Sequence, residues 1–172
     1  MKPLKRVVVI GPECTGKSAL SAFLADHFKT TWVPEYARAY LDTLGRPYTQ
    51  EDLLTIAQGQ ISVEDQTAEK AESVLVCDTN LYVIKIWSVF KYGNVAKEIL
   101  DGIANRSYDL YLLTYIDIPW VADSQREHPD ERQQLYDLYL NEMKNQRVPF
   151  VEIKGDRDTR RTTAIEAIKR IL

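Results

Sequence analysis

The octapeptide Gly11-Pro12-Glu13-Cys14-Thr15-Gly16-Lys17-Ser18 constrains this chain more than any other stretch, because it matches G-x-x-x-x-G-K-[ST] at every position. Glycine lets the backbone wrap closely round an anion, and successive N–H groups then point inward. Such a loop works only between a strand and the start of a helix, whose positive end completes the cradle. Both flanks comply. Residues 6–10 form a short β-branched run of the kind buried on both faces. Residues 17–28 set Leu20, Phe23, Leu24 and Phe28 on one helical face. The loop therefore predicts that Gly11, Glu13, Cys14, Thr15, Gly16, Lys17 and Ser18 hold the phosphates of ATP. Lys17 is expected to reach the β- and γ-phosphates, and the Ser18 hydroxyl to ligate Mg²⁺. Cys14 reads as a small spacer in the loop rather than a reactive thiol.

The order of the remaining elements supports the same architecture. Strands are predicted at 31–33, 73–77, 109–116 and 149–153, and helices at 35–44, 81–90, around 135–143, and at 158–172. A long helix starts near Thr49, with Glu51 and Asp52 in its acidic first turn, and runs toward Glu72. Gly59 lies inside it and weakens its expected continuity. Strands alternating with helices predict a three-layer α/β domain, the P-loop NTPase fold, with a mainly parallel five-stranded sheet and helices on both faces. Nothing divides the chain, so residues 1–172 are expected to form one domain.

Composition excludes several classes. The net charge is −3, from 22 basic and 25 acidic residues, which gives no general field for nucleic acid or anionic lipid. Any phosphate site must therefore be local. The apolar runs are all shorter than the roughly 18 residues a membrane span needs, and no secretory signal is present. Two cysteines, Cys14 and Cys77, make no disulfide framework. A cytoplasmic, non-inserting protein is expected. Asp42-Thr43-Leu44-Gly45 spells the GTPase-like D-x-x-G, but it falls in a predicted helix and no N-K-x-D motif exists.

Parallel α/β sheets bind ligands outside the carboxyl ends of their strands. Glu35, Asp78 and Asp117 all lie there. Asp78 ends an apolar run and is expected to support a metal ion or contact an accepting hydroxyl. Glu35 is the candidate for orienting or deprotonating that hydroxyl, and either acid could be the base. Asp117 reads as a strand-end turn residue. The segment 120–133, rich in charge, is expected to be a lid bringing Arg126 and Arg132 to the transferring phosphoryl group. Its His128 has no second ligand at metal spacing. Asp156 and Arg157, after the fifth strand, are placed beside an adenine. Trp32, Trp87 and Trp120 are core residues by default, with a cation-stacking role physically open to them.

The pieces Gly11–Ser18, Trp32-Val33-Pro34-Glu35-Tyr36-Ala37-Arg38, Gly59-Gln60 and Cys77-Asp78-Thr79 resemble the ribosylnicotinamide kinase domain of NadR-type NAD-biosynthesis proteins. So do Ile84-Lys85-Ile86-Trp87, Asp117-Ile118-Pro119-Trp120 and Arg126-Glu127-His128-Pro129. The resemblance covers almost the whole chain. It implies a strand order of 2-3-1-4-5, seen in small nucleoside and nucleotide kinases. It also implies ATP plus nicotinamide riboside giving nicotinamide mononucleotide, with Trp32, Glu35, Tyr36, Arg38, Asp78, Trp87 and Trp120 around the riboside. NadR-type proteins are often longer, with a DNA-binding part and an adenylyltransferase domain. The present length leaves room for neither, so neither NAD synthesis nor operator binding is expected.

Overall fold

The computed structural model describes residues 3–172. In chain order the elements are β1 (Lys5–Ile10), α1 (Lys17–His27), β2 (Trp32–Val33), α2 (Tyr36–Leu44), α3 (Gln50–Ala68) and β3 (Val74–Asp78). Then come α4 (Leu81–Tyr92), α5 (Lys97–Ala104), β4 (Leu110–Thr114), α6 (Arg132–Asn145), β5 (Phe150–Ile153) and α7 (Arg157–Lys169). The five strands run β2-β3-β1-β4-β5, every pairing parallel. The expected order is the observed one.

Strand periodicity sorts the core. Val7 and Val9 of β1 face the layer of α1 and α7, packing with Leu20, Leu24, Ala164 and Ile168. Val8 and Ile10 face the opposite layer, with Ile86 of α4 and Leu135, Tyr139 and Met143 of α6. Alternate side chains on a strand point to opposite faces, so one run of β-branched residues serves both layers. A third cluster binds α2, α3, α4 and α5 through Ala37, Leu53, Ile56, Leu81 and Ile99. No helix among the described residues is long and apolar enough to cross a membrane.

Three sequence expectations are corrected. The long helix ends at Ala68, short of Glu72. An unforeseen helix, α5, fills the stretch before β4; its eight residues are too few for a clear period, and Ile99 is its one buried anchor. Gly59 does not interrupt α3. A Cβ there would stand 2.1 Å from the Tyr36 ring, so the glycine admits an aromatic ring against the helix backbone. The start of α3 is as expected: the Asp52 carboxylate accepts the Thr49 backbone N–H at 2.7 Å.

Register places the chemistry. Val9 pairs with Asp78 on one side and Leu112 on the other. The carboxyl ends of β3, β1 and β4 therefore finish together, and the loop 11–16 leaves the middle of that edge.

Candidate active site

The loop between β1 and α1 is held from behind by backbone and hydroxyl contacts. Gly11 has φ 148°, and a Cβ there would lie 2.4 Å from Thr114 Oγ1, so only glycine lets the loop leave β1 so close to β4. The Thr15 and Thr114 hydroxyls lie 2.7 Å apart, with the Pro12 carbonyl 2.8 Å from Thr15 Oγ1 and the Ile10 carbonyl 3.1 Å from Thr114 Oγ1. Arg160 of α7, 6% exposed, fastens the other side. It donates to the carbonyls of Thr15 and Tyr115 at 2.9 Å and of Gly155 at 3.1 Å, and pairs with Asp117. Lys17 Nζ donates to the Pro12 carbonyl at 2.7 Å. Cys14 takes the left-handed φ of 55°, and its sulfur accepts the Val121 N–H at 3.2 Å. The cysteine is thus a loop spacer with a partner across the cleft.

Ser18 Oγ donates to Asp78 Oδ2 at 2.5 Å. Asp78 is 1% exposed, and its Oδ1 has no hydrogen-bond partner. Burial first, and the charge of Glu35 second, push its pKa up to about 6, against the pull of Lys17 and Ser18. Two hard oxygen donors, one of them orphaned, fit a divalent cation that keeps most of its ligands as water and phosphate. No group of three or more His, Cys, Asp or Glu residues suited to hold a metal occurs among the described residues. Thr79, next in sequence, is held at φ 72°, a strained angle of the kind that collects at working sites.

A cavity of about 370 Å³ opens over this loop. Its polar wall is the loop itself with Lys17 and Ser18, and Glu35 and Arg38 stand at the start of α2. Val83, Ile86, Trp87 and Phe90 of α4, with Leu135 and Tyr139 of α6, make the apolar wall. Gln125, Arg126, Glu127 and His128 close the outside. The segment 115–131 lacks regular secondary structure and is docked on the loop. Glu13 Oε2 accepts the N–H groups of Glu127 and His128 at 3.1 and 3.3 Å, and Arg132 donates to the Cys14 carbonyl at 3.1 Å. Asp123 pairs with both Arg38 and Arg126 at 3.1 Å.

The structure brings together Gly11, Glu13, Cys14, Thr15, Gly16, Lys17, Ser18, Glu35, Arg38, Trp87 and Arg126 around the cavity. Asp78 lies just behind it, joined through Ser18. Trp32, Tyr36 and Trp120 stand outside the lining. Trp32 packs into the α1 and α7 core, since residue 32 of β2 faces that layer. The Tyr36 ring is spent against Gly59, and Trp120 lies 5.8 Å from the Arg132 guanidinium. Asp156 caps α7, accepting the Thr159 N–H at 2.8 Å, and with Arg157 it too lies outside. Asp117 is the turn residue expected, with Arg160 and the Gly155 N–H as its partners. Sequence reading missed Arg160 and Tyr139. Arg160 looks like any helix-surface arginine, and Tyr139 falls in the apolar period of α6.

A glycine-framed anion loop at the carboxyl edge of an all-parallel 2-3-1-4-5 sheet defines a P-loop kinase fold. Residues 6–160 match the family model described as an AAA domain, and the chain belongs to that family. It is 28% identical to the Trifunctional NAD biosynthesis/regulator protein NadR of Salmonella typhimurium (strain LT2), a match covering 98% of this chain and 43% of that protein. The Escherichia coli (strain K12) protein of the same name is 26% identical over the same shares. The chain thus spans less than half the length of the curated relatives it matches. Among solved structures, a NadR protein in complex with NR superposes with a TM-score of 0.80 at 21% identity, over 96% of this chain and 49% of that one. Deoxyadenosine kinase from M. mycoides with bound dATP gives 0.58 at 14% identity, over 96% and 99%. These likenesses establish the fold. The named relatives include the group that the sequence resembles.

Proposed function

We propose that this chain is an ATP-dependent kinase that moves the γ-phosphoryl group onto the 5′-hydroxyl of nicotinamide riboside, giving nicotinamide mononucleotide in NAD salvage in the cytoplasm. The observation that carries the reading is one cavity in which the anion loop and Lys17 face Glu35 on one side and the apolar wall bearing Trp87 on the other. A phosphate donor and an aromatic, hydroxyl-bearing acceptor are thereby held within reach of each other. The likeness to NadR proteins supports the choice of acceptor.

The residues divide the work. Loop N–H groups of 11–18 and Lys17 hold the β- and γ-phosphates, with Asp156 and Arg157 near the adenine end. Ser18 and Asp78 would hold Mg²⁺, which when bound neutralises charge on the β- and γ-oxygens. Glu35 accepts the proton of the attacking hydroxyl, with Asp78 as the other candidate. Arg126, freed from Asp123, and Arg132 meet the charge that develops on the transferring group. Trp87 and Arg38 flank the acceptor. Trp32, Tyr36 and Trp120 act through packing.

Mass spectrometry of products after incubation with Mg-ATP and each of nicotinamide riboside, nicotinic acid riboside, deoxynucleosides and dephospho-coenzyme A tests this. Nicotinamide mononucleotide and ADP in equal amounts are expected. Phosphorylation of another acceptor with the ribosides untouched overturns the assignment, and ADP release indifferent to every acceptor makes the protein an ATPase. Lys17→Ala should cut product formation by about a thousandfold or more, the scale of removing a preorganised charge from a phosphoryl-transfer site.

A further inference from the structure

A carboxylate inside an anion-binding loop needs a reason, because its charge opposes the ligand the loop exists to hold. Glu13 is half-buried, lines the cavity, and lies in the same loop as Lys17. Its Oε2 accepts two consecutive backbone N–H groups, Glu127 at 3.1 Å and His128 at 3.3 Å. Residues 125–128 are the outer wall of the cavity, and 124–131 contains no helix or strand of its own to hold that wall in place. Side chains on the far side tie the segment to α2, to Tyr48 in the loop before α3 and to α4, by exposed or half-exposed contacts such as Arg38–Asp123 and Lys91–Glu127. Pairs of that kind contribute little. Charge-assisted bonds from a carboxylate to backbone N–H groups are stronger and are fixed in register.

We infer that Glu13 is a positioning residue that sets how the γ-phosphoryl group partitions between the acceptor hydroxyl and water, by holding the 125–128 wall against the phosphate loop. The inference rests on the kinase reading. In the competing reaction a water oxygen bonds to the γ-phosphorus and the bond to the β–γ bridging oxygen breaks. ADP leaves with that electron pair, and the water proton passes to solvent. Both routes release ADP, so only the fate of the phosphoryl group tells them apart. A wall that stays shut excludes the water. Without the carboxylate, the two N–H groups turn to solvent for their acceptor, and the wall loosens where water would enter. Glu13→Gln keeps an acceptor oxygen at the same reach without its charge.

Hydrogen exchange on the full chain without nucleotide is the first measurement. The Glu127 and His128 amides should exchange about tenfold faster in Glu13→Ala, the effect of losing one ordinary hydrogen bond's worth of protection. Glu13→Gln should fall between Ala and wild type, and β1 amides should not change. Second, with acceptor present, the ratio of inorganic phosphate to phosphorylated acceptor should rise several-fold in Glu13→Ala and be largely rescued in Glu13→Gln. Unchanged exchange at the two amides, or an unchanged ratio despite faster exchange, overturns the inference. If the wild-type protein phosphorylates no acceptor, the kinase reading falls instead, and the exchange result still decides whether Glu13 holds the wall.

Discussion

Two buried carboxylates, one at each end of the sheet, have the same exposure and opposite circumstances. Glu64 on α3, 1% exposed, lies near the amino ends of β1 and β4. It receives Arg6 at 2.7 Å, Arg106 at 2.9 Å and the Tyr108 hydroxyl at 2.9 Å. Asp78, also 1% exposed, lies at the carboxyl end of β3 with one donor, Ser18, and an oxygen that nothing meets. After burial, the charge that acts on it most is that of another acid, Glu35, which raises its pKa against the pull of Lys17. A buried charge is tolerated when paired and hydrogen-bonded, and is costly otherwise. The first carboxylate joins α3 to the sheet. The second is kept unsatisfied, as expected of a group whose partner arrives with the ligand.

The largest effect is expected at the satisfied end. Glu64→Ala removes the shared acceptor of two arginines and a tyrosine, and should cost about 3–5 kcal/mol of stability, read from urea unfolding. The Arg6 side chain keeps 28% exposure, and water reaching it places the loss toward the lower figure. Phosphoryl transfer by the fraction that stays folded should be unchanged. A variant as stable as wild type would remove the contrast.

Asp78→Asn should do the reverse. Burial holds the folded-state pKa near 6 against an ordinary 3.8. As pH rises between those values the unfolded chain ionises while the folded one retains its proton, so wild-type stability falls across that window and the loss is complete above about 6. The asparagine should therefore be more stable than wild type by about 3 kcal/mol at pH 7.5, with the advantage shrinking below pH 6 and gone below 3.8. Its transfer rate should drop about a hundredfold or more. In wild type, kcat/KM should show an acid limb near 6, moving lower in excess Mg²⁺ because a cation favours the ionised carboxylate. Melting temperature and rate measured together across pH check this. Lower stability with the limb unmoved would break the assignment of Asp78 as the unsatisfied partner.

The contrast between the two acids also marks where sequence ceases to inform. The phosphate loop and the placing of Asp78 at a strand end were legible, because glycine spacing and β-branched runs act locally; the strand order came through the family resemblance alone. Glu64 was not: on sequence it is one acid among several on a polar helix, and its partners at 6, 106 and 108 meet it only through tertiary packing. The same holds for Arg160, whose four partners come from loops 100 or more residues apart in part, and for Trp32, which the sheet turned toward the core. The segment 120–133 showed its charge in the sequence, but not that the loop's own Glu13 and Cys14 grip it.

The weakest effect should come from the exposed fastening of that segment. The Tyr48 hydroxyl accepts from Trp87 Nε1 at 2.9 Å and from Lys91, and donates to Glu127 Oε2 at 2.5 Å. Burial and the bond to Glu127 push its pKa up to about 12, so the phenol is neutral wherever the protein is assayed. Tyr48→Phe keeps the ring against Trp87 and leaves Lys91 and Glu127 paired directly at 3.0 Å. Three hydrogen bonds go, but all of the groups freed are near enough to water to be resolvated, so the cost should be no more than about 1 kcal/mol. What should change is placement. The Trp87 indole loses the group that fixes its plane, so the acceptor KM should rise a few-fold while kcat and the KM for ATP hold. An unfolding free energy lowered by as much as in Glu64→Ala would mean that this cluster is a structural clamp of the first kind, and that the two ends of the molecule differ less than their hydrogen bonds indicate.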